Sequence, residues 1–324
     1  MERSAPEPTA WTVSDGRAGN ARQASALAAA MGLDARDWTL ESRPPWRWLA
    51  PRWLPGARNA FGPRFAEAAA SELPALAIGC GRQAALATRV LRAQGTRVVQ
   101  LLDPRIAPSH WDVVVAPRHD ALQGDNVVTL LGSLHPVDDA WLARARTAFP
   151  SLGMLPRPRV ALLLGGPTRH APWDGAALQA WLRQVEALVA REGGSLLLCG
   201  SRRTPGSLRA LARDASPRLP GVRWLDAGDG DNPYPGVLAW ADRIACTADS
   251  VNMLSEACAT WAPVFVAGTA PGAGGVQGRT RGFLEALQAL ERIRALEAGM
   301  ARFEVQPLRE TARVAAEVAG RLRL

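Results

Sequence analysis

The sequence predicts an α/β protein of two domains, each a parallel sheet covered by helices. Apolar runs of strand length alternate with helical patterns in the first half of the chain, and the same alternation restarts in the second half. Between the halves, Pro150 to Pro158 holds three prolines in nine residues, which is typical of a short, stiff linker. The 324 residues are enough for two domains of ordinary size.

The amino-terminal domain is predicted over 10–150, after a disordered tail over 1–9. Its strands should be buried on both faces, because each is a nearly continuous apolar run. They are predicted at Trp11–Ser14, Ala75–Gly79, Arg97–Leu102, Asp112–Ala116 and Asn126–Leu130. The helices are predicted at Ala21–Met31, where Gly32 stops the helix, and at Arg82–Ala93 and Val137–Phe149.

The carboxyl-terminal domain is predicted over 159–300, after a linker over 151–158. Its strands are predicted at Arg159–Leu164, Ser195–Cys199, Val222–Leu225, Arg243–Cys246 and Pro263–Ala267. Its helices are predicted at Asp174–Glu192, Pro205–Ala215, Pro235–Ala241, from Asp249 onward, and Gln277–Leu296. The last segment, 301–324, contains a helix at Arg309–Leu322, which we expect to pack back on the amino-terminal domain.

Composition narrows the class of partner. The chain is 48% hydrophobic and 21% charged, as in globular proteins. Its net charge is +8, and arginine supplies all 38 of the Lys and Arg positions. A basic excess favours anionic partners such as phosphates or an anionic membrane leaflet. We expect no nucleic acid partner, because no basic block of five residues, zinc finger or RNP pattern occurs.

Cysteine and histidine spacing predicts no metal site. The four cysteines, Cys80, Cys199, Cys246 and Cys258, form no C-x-x-C pair, and the four histidines lack ligand spacing. Buried reduced thiols are typical of a cytoplasmic protein. Residues 1–10 do not resemble a signal peptide, and the uncharged stretch 257–278 is broken by proline and glycine. We therefore expect a cytoplasmic location.

The most informative segment runs from Thr247 to Glu256, directly after a predicted strand. Asp249 is predicted to cap the helix that begins there, because its carboxylate can accept from the free N–H groups of the first turn. At 100° per residue, one face of this helix carries Asp249, Asn252, Met253 and Glu256. Open α/β sheets bind ligands at such strand-to-helix turns. The alternative is an amphipathic helix with a solvated polar side.

Two other loops after strands in this domain carry the residues of an anion site. In Leu164–His170, the two glycines should leave backbone N–H groups accessible, and the arginine and imidazolium suit a diphosphate. Gly200–Pro205 places serine, two arginines and threonine at a helix start. The alternative for the first loop is a surface loop with a chance Arg–His pair. The predicted contacts are Gly165, Gly166, Thr168, Arg169, His170, Ser201, Arg202, Arg203 and Thr204.

The turn Ser14–Asn20 joins the first predicted strand to the first helix. Its glycines permit close approach of a ligand, and Asp15 is a candidate general base toward an acceptor hydroxyl. The alternative is an ordinary tight turn in which Asp15 is a cap. The acceptor side is predicted to consist of Gly16, Arg17, Gly19, Asn20 and Gln23.

The segment Pro117–Asp120 follows another strand of the amino-terminal domain. His119 can titrate near neutral pH and Asp120 can orient it, so both are candidate catalytic residues. The alternative is a structural histidine, since no G-x-S-x-G or reactive cysteine motif accompanies it.

The segment Trp46–Trp53 is rich in tryptophan and arginine. This combination suits an anionic membrane surface, where indole rings lie at headgroup depth and arginine meets phosphate. It would make the protein peripheral on the inner leaflet. The alternative is that the tryptophans pack into the core beneath a loop.

Together these motifs resemble the bacterial mitochondrial-fission-factor (ELM-type) family, named after a plant protein. The resemblance spans nearly the whole chain in the expected order. It is carried by Ser14–Asn20 with Gln23, Pro117–Asp120, Gly165–His170 with Trp173–Asp174, Ser201–Pro205 and Thr247–Ala257. It implies either a nucleoside-diphosphate-sugar protein, as bacterial members are often labelled, or an adaptor like the plant member on the mitochondrial surface.

The second domain is also similar to that of GT-B glycosyltransferases, including the one that forms lipid II. This resemblance implies two Rossmann-like domains facing a cleft. It puts Gly165, Gly166, Thr168 and Arg169 near the diphosphate, Ser250 facing phosphate or sugar, and Glu256 on the ribose hydroxyls. The first loop departs from the lipid II pattern in having no histidine, which leaves Asp15 as the candidate base.

Three functions are compatible with these observations. The first is a metal-independent glycosyltransferase without a bound cofactor, which moves a sugar from a nucleotide-activated donor to an unknown acceptor, with a lipid-linked molecule as the candidate. The second is a non-catalytic adaptor that keeps the fold. The third is a nucleoside-diphosphate-sugar epimerase. No bound NAD is expected, because the first turn lacks G-x-G-x-x-G spacing.

Overall fold

A computed structural model of the chain describes residues 10–215, 218–269, 275–296 and 299–323. The tail expected over 1–9 lies outside these residues. Within them, no helix is long and apolar enough to cross a bilayer.

The secondary structure alternates between strands and helices along most of the chain. The strands are β1 Ala10–Ser14, β2 Ala35–Thr39, β3 Leu76–Cys80, β4 Arg97–Leu101, β5 Val113–Pro117, β6 Val127–Leu130, β7 Arg159–Leu163, β8 Ser195–Cys199, β9 Gly221–Trp224, β10 Arg243–Thr247, β11 Val264–Ala267 and β12 Ile293–Ala295. The helices are α1 Ala18–Ala30, α2 Trp46–Leu49, α3 Pro63–Ser71, α4 Arg82–Arg92, α5 Asp139–Ala148, α6 Pro150–Gly153, α7 Gly175–Glu192, α8 Gly206–Arg213, α9 Tyr234–Trp240, α10 Val251–Cys258, α11 Gly278–Ala289 and α12 Thr311–Leu322.

The chain divides into two compact units. The amino-terminal unit contains the residues up to Pro136 and those from Glu310 onward, and the carboxyl-terminal unit contains Val137–Arg309. The sequence placed this boundary at 150. It lies earlier because α5 packs against α9 and α6 of the carboxyl-terminal unit.

Each unit contains a six-stranded parallel sheet, which confirms the predicted α/β class. The order is β2-β1-β3-β4-β5-β6 in the amino-terminal unit and β12-β11-β10-β7-β8-β9 in the carboxyl-terminal unit. The chain reverses its direction of travel across the sheet between β1 and β3 in the first and between β7 and β10 in the second. Ligands bind open α/β sheets outside the carboxyl ends of the strands at such points.

The cores explain why the central strands are apolar throughout. In the amino-terminal unit, α1 and α12 contribute Leu27, Val314 and Val318 to a core against one face of the sheet. On the other face, α3 and α4 pack around Trp11 and Trp111. Buried on both faces, these strands read as continuous hydrophobic runs.

Several predictions of local structure need correction. The strand β2 and the helices α2 and α3 were not predicted, and the short helix α6 overlaps the start of the predicted linker 151–158. β2 lacks a clear signal because it is an edge strand with mostly polar residues. The helix expected over Gln277–Leu296 ends at Ala289, and β12 follows it. Between them Glu291 has a φ of 52°, a left-handed conformation that ends a helix. Arg292 then turns inward and donates to the carbonyls of Ala257, Cys258, Thr260 and Ala262.

Candidate functional site

Three loops of the carboxyl-terminal unit leave its sheet from neighbouring strands. β8, β7 and β10 lie side by side and run parallel. Because adjacent strands are about 4.8 Å apart, the segments that follow them meet at one edge. The candidate site is built on this edge.

The carboxylate of Asp249 joins these loops. Its Oδ2 accepts hydrogen bonds from the backbone N–H of Gly166 at 2.8 Å and from Nη2 of Arg203 at 3.1 Å. Its Oδ1 accepts from Nε1 of Trp173 at 3.0 Å. The Asp249 side chain is fully buried, with no exposed surface. Asp249 is therefore a residue that organises the loops rather than one that presents its carboxylate to solvent.

The two glycines of the first loop have a different role from the predicted one. The N–H of Gly165 donates to Oγ1 of Thr247 at 2.8 Å, and that of Gly166 is taken by Asp249. These groups are thus engaged within the protein and not open to a diphosphate. Glycine is required here because a Cβ at Gly165 would overlap the Asp249 carboxylate, and one at Gly166 would overlap the carbonyl oxygen of Arg203.

Thr204 ties the second loop to the first. Its buried Oγ1 donates to the carbonyl oxygens of Gly165 at 2.6 Å or Leu164 at 3.0 Å and accepts from the N–H of Ser201 at 2.9 Å. The N–H of Arg203 donates to Oγ of Ser201 at 3.2 Å. Ser201 and Thr204 therefore shape the loop from which two arginines project.

Positive charge remains on the exposed side of these loops. Arg169 and His170 are exposed, and Nε of Arg169 donates to Nε2 of His170 at 2.8 Å. They lie in a tight turn closed by hydrogen bonds between Thr168 and Ala171. On the second loop Arg202 is exposed, and the side chain of Arg203 is 52% exposed although it pairs with Asp249. The guanidinium groups of these arginines can bind an anion bidentately.

The helix α10 begins differently from the prediction. Its cap is Ser250, whose Oγ accepts from the N–H of Met253 at 3.4 Å. Asp249 cannot cap it, because its carboxylate is turned toward the loops after β7 and β8. Met253 is buried and Asn252 half-buried, so the predicted solvated face is mostly covered.

Glu256 is buried on α10 and accepts a hydrogen bond of 2.6 Å from the hydroxyl of Tyr234. The sequence did not indicate Tyr234, the single tyrosine of the chain, as a site residue. Trp173 and Thr247 were named within motifs, but their bonds to the loops were not predicted. The position of Trp173 just after the Arg169–His170 pair was a sequence indication that it belongs to the site. Tyr234 lies 22 residues from Glu256, and no local pattern indicated their contact.

The predicted acceptor side lies at the carboxyl end of β1 in the amino-terminal unit. Oδ1 of Asp15 accepts from Nδ2 of Asn20 at 2.9 Å and from the N–H of Arg17 at 3.2 Å. Gly16 has a φ of +76°, which favours glycine. Gln23 is buried, and Gly19 is half-buried on α1. Asp15 thus closes a local turn and is half-buried itself.

The other two candidate catalytic residues follow β5. Nε2 of His119 lies 4.0 Å from Oδ1 of Asp120, and both side chains are mostly buried. Three strand spacings separate β5 from β1, which is about 14 Å at the level of the backbone. The structure does not bring His119 and Asp120 into one cluster with Asp15.

The Trp46–Trp53 segment has one tryptophan that packs into the core and two that are exposed, as a membrane-facing segment would have. Trp46 packs against the core, whereas Trp48 is 67% exposed and Trp53 40% exposed. Arg47 and Arg52 are exposed beside them. We call Arg47, Trp48, Leu49, Arg52 and Trp53 the tryptophan–arginine patch.

Comparison with known proteins places this geometry in context. A sequence profile of the family described as "Mitochondrial fission ELM1" matches residues 18–322. The mitochondrial fission protein ELM1 of Arabidopsis thaliana is 32% identical over 223 residues, covering 60% of this chain and 52% of that protein. The chain thus spans about half the length of that relative. An uncharacterized protein of Rickettsia prowazekii, RP120, is 22% identical over 301 residues, which cover 79% of this chain and 82% of that protein.

Solved structures share the fold at low identity. A UDP-GlcNAc 2-epimerase from Methanocaldococcus jannaschii matches with a TM-score of 0.55 and 11% identity over 96% of this chain and 99% of that one. A UDP-GlcNAc 2-epimerase from Neisseria meningitidis, bound to UDP-GlcNAc, matches with a TM-score of 0.51 and 12% identity over 98% and 100%. These likenesses show an α/β fold of the GT-B type, as predicted.

Proposed function

This chain belongs to the mitochondrial fission ELM1 family, and from that premise we propose that its carboxyl-terminal unit binds a nucleotide-activated sugar as the donor in a glycosyl transfer. The observation that carries the proposal is the buried Asp249 carboxylate, which follows β10 and joins the loops after β7 and β8. The strand order reverses between β7 and β10, so this carboxylate lies at the reversal point. The solved structure bound to UDP-GlcNAc, with the same fold, supports this class of ligand.

The exposed arginines supply the charge that the transfer needs. In the proposed step, the acceptor oxygen bonds to the anomeric carbon, the bond from that carbon to the diphosphate breaks, and the nucleoside diphosphate leaves with the electron pair. Arg169 and Arg202 stabilise the developing negative charge without a metal, and Asp249 positions Arg203 for the same task. Asp15 of the amino-terminal unit is the proposed base for the hydroxyl proton.

Glu256 is the proposed contact of the ribose hydroxyls. Its carboxylate already accepts from Tyr234, so the tyrosine fixes its orientation before the donor arrives. Glu256→Gln keeps an acceptor for Tyr234 but removes the charge. We expect donor affinity to fall by about 1.5–3 kcal/mol, the scale of a hydrogen bond to a charged group.

Isothermal titration of the full chain with UDP-, GDP-, ADP- and CMP-sugars tests the proposal. At least one should bind, and Arg169→Gln and Arg202→Gln should each weaken it about tenfold. The matched control is Arg281→Gln, an exposed arginine of the same unit paired with Glu285, and it should leave the affinity unchanged. Folded protein that binds none of the four donors removes the proposal.

A second candidate is epimerisation at C2 of the sugar, because the two solved structures described above are 2-epimerases by description. NMR of UDP-GlcNAc incubated with the protein separates the candidates. A C2 epimer formed without an acceptor favours the epimerase, and release of UDP that depends on an acceptor favours the transferase. An adaptor gives neither product, and Glu256→Gln leaves its partner binding intact.

We also propose that the tryptophan–arginine patch places this protein on the inner leaflet, near a lipid-linked acceptor. Indole rings and arginines together suit an anionic interface. Co-sedimentation with vesicles of phosphatidylcholine, with and without phosphatidylglycerol, should show binding only to the anionic vesicles. Trp48→Ala with Trp53→Ala should abolish it, and Trp261→Ala, an exposed tryptophan of the other unit, should not. Equal binding to neutral vesicles contradicts this location.

A further inference from the structure

A cavity of about 760 Å³ lies in the carboxyl-terminal unit, away from the loops just described. Its walls include Arg159, the first residue of β7, Asp242, which precedes β10, and Pro263, which precedes β11. It therefore opens at the amino ends of the strands, and the candidate donor site is at their carboxyl ends. Its volume is in the range of small-molecule sites.

The cavity has an excess of positive charge. Among the residues that the structure describes, four guanidiniums line it, against two carboxylates from Asp242 and Glu304. The guanidiniums are those of Arg146, Arg157, Arg159 and Arg302. An excess of two positive charges in a concave site attracts anions, because the low-dielectric walls focus the field.

The buried carboxylate of Asp242 contacts three of the four arginines that line the cavity. Asp242 accepts from the backbone N–H of Arg159 at 2.8 Å and from its Nε at 3.1 Å, and it also pairs with Arg157. Nη2 of Arg302 lies 4.0 Å from the same carboxylate. A single carboxylate cannot neutralise three guanidiniums. Arg157 and Arg302, whose side chains are 65% and 59% exposed, therefore keep donors for an external anion.

Two tryptophans give the cavity an aromatic wall. The guanidiniums of Arg159 and Arg146 lie 5.0 and 5.6 Å from the ring of Trp240, which fixes both arginines by cation–π contact. Trp261 is 55% exposed, and its Nε1 donates to Oδ1 of Asp139 at 2.8 Å. The indole of Trp261, fixed by this hydrogen bond but exposed, presents a flat apolar surface to a ligand.

We propose that this cavity is a second binding site, which takes a small aromatic oxyanion. The oxyanion, a phosphate or carboxylate, binds Arg157 and Arg302, because a planar guanidinium matches either group bidentately. The planar part of the ligand stacks on Trp261. The site is independent of the proposed donor site, since none of the described residues that line the cavity is one of the proposed donor contacts.

Isothermal titration of the full chain with phenyl phosphate, benzoate and inorganic phosphate tests the site. Phenyl phosphate or benzoate should bind, and inorganic phosphate should bind more weakly. Arg302→Gln and Arg157→Gln should each weaken the aromatic ligand about tenfold, and Trp261→Ala about fivefold, with unchanged circular dichroism. The stronger of the two aromatic ligands identifies the oxyanion.

One control and one comparison keep this test separate from the donor site. The exposed Arg281→Gln should leave the affinity for phenyl phosphate unchanged, and Arg169→Gln, on the loop after β7, should weaken it less than Arg302→Gln does. The proposal is overturned if neither aromatic anion binds the folded chain, or if Arg169→Gln abolishes binding that Arg302→Gln leaves intact. Failure of the nucleotide-sugar titrations does not affect it.

Discussion

The hydroxyl of Tyr234 donates a hydrogen bond of 2.6 Å to the carboxylate of Glu256. The glutamate is 3% exposed, so its charge depends on partners supplied by the protein. The bond joins the first residue of α9 to the second turn of α10. It therefore stabilises the position of the two helices as well as the carboxylate.

Removal of this hydroxyl should destabilise the carboxyl-terminal unit. Tyr234→Phe leaves a buried carboxylate without one of its donors, which costs about 1–3 kcal/mol. Urea denaturation followed by circular dichroism measures the change. Glu256→Gln retains an acceptor and should cost less; a larger loss in Glu256→Gln than in Tyr234→Phe contradicts this role for the tyrosine.

Gly166→Ala should lower the free energy of unfolding by about 2 kcal/mol or more. The new methyl group overlaps the carbonyl oxygen of Arg203, so the loops must separate and the bond to Asp249 is strained. Gly206→Ala is the matched control. It begins α8 with no atom near its Cβ position, and alanine there should be neutral or stabilising by up to about 1 kcal/mol. Equal stability of the two variants would show that the close packing is not needed.

The four thiols should react slowly in the folded protein. All four cysteines are buried, and burial raises the pKa of Cys199 to about 12 and that of Cys258 to about 11. At pH 8 a thiol with a pKa of about 11 is ionised in about one molecule in a thousand. Ellman's reagent should titrate the thiols only as the protein opens, and all four at once in guanidinium. One fast equivalent in native protein contradicts this expectation.

Stability should fall at acid pH in part through Glu310. Burial alone raises the pKa of this carboxyl, but hydrogen bonds from Arg313 and from the backbone N–H of Leu131 outweigh it and lower the pKa. A lowered pKa means that the stabilisation is complete above the unfolded-state value of about 4.3 and is lost as the pH falls through the folded-state value.

Glu310→Gln should therefore cost about 1 kcal/mol at pH 7, and the difference from the unmodified chain should shrink below about pH 4. Urea unfolding at pH values between 3 and 7 measures it. Glu285→Gln, in an exposed ion pair, should change stability by less than about 0.5 kcal/mol at any pH. A Glu310→Gln effect that does not depend on pH contradicts the assignment.

The fold was largely predictable because buried parallel strands are visible as apolar runs. Ser195–Cys199 was predicted with the bounds that the structure has. The strand Ala35–Thr39 was not predicted, because an edge strand with polar residues is not an apolar run. The strand Ile293–Ala295 was not predicted, because a helical pattern in the sequence continues across Glu291. The left-handed backbone conformation of Glu291, which ends the helix, cannot be recognised from the sequence.

The site was predictable in its location but not in its internal contacts. Loops after adjacent parallel strands must meet, and composition marked those that carry arginine and glycine. The pairing of Asp249 with the N–H of Gly166, 83 residues away, depends on loop conformations that no local pattern encodes. The same applies to Tyr234 and Glu256.

The helix α12 has a consequence for synthesis of the protein. It supplies Val314, Val318 and Leu322 to the hydrophobic core of the unit that begins the chain. On the ribosome, the second unit can thus complete its packing before the first. One face of the first unit's sheet is covered only by α1, and therefore in part, until residue 322 has emerged. During that interval the nascent chain exposes a surface that chaperones recognise, and truncation just before Thr311 would make the exposure permanent.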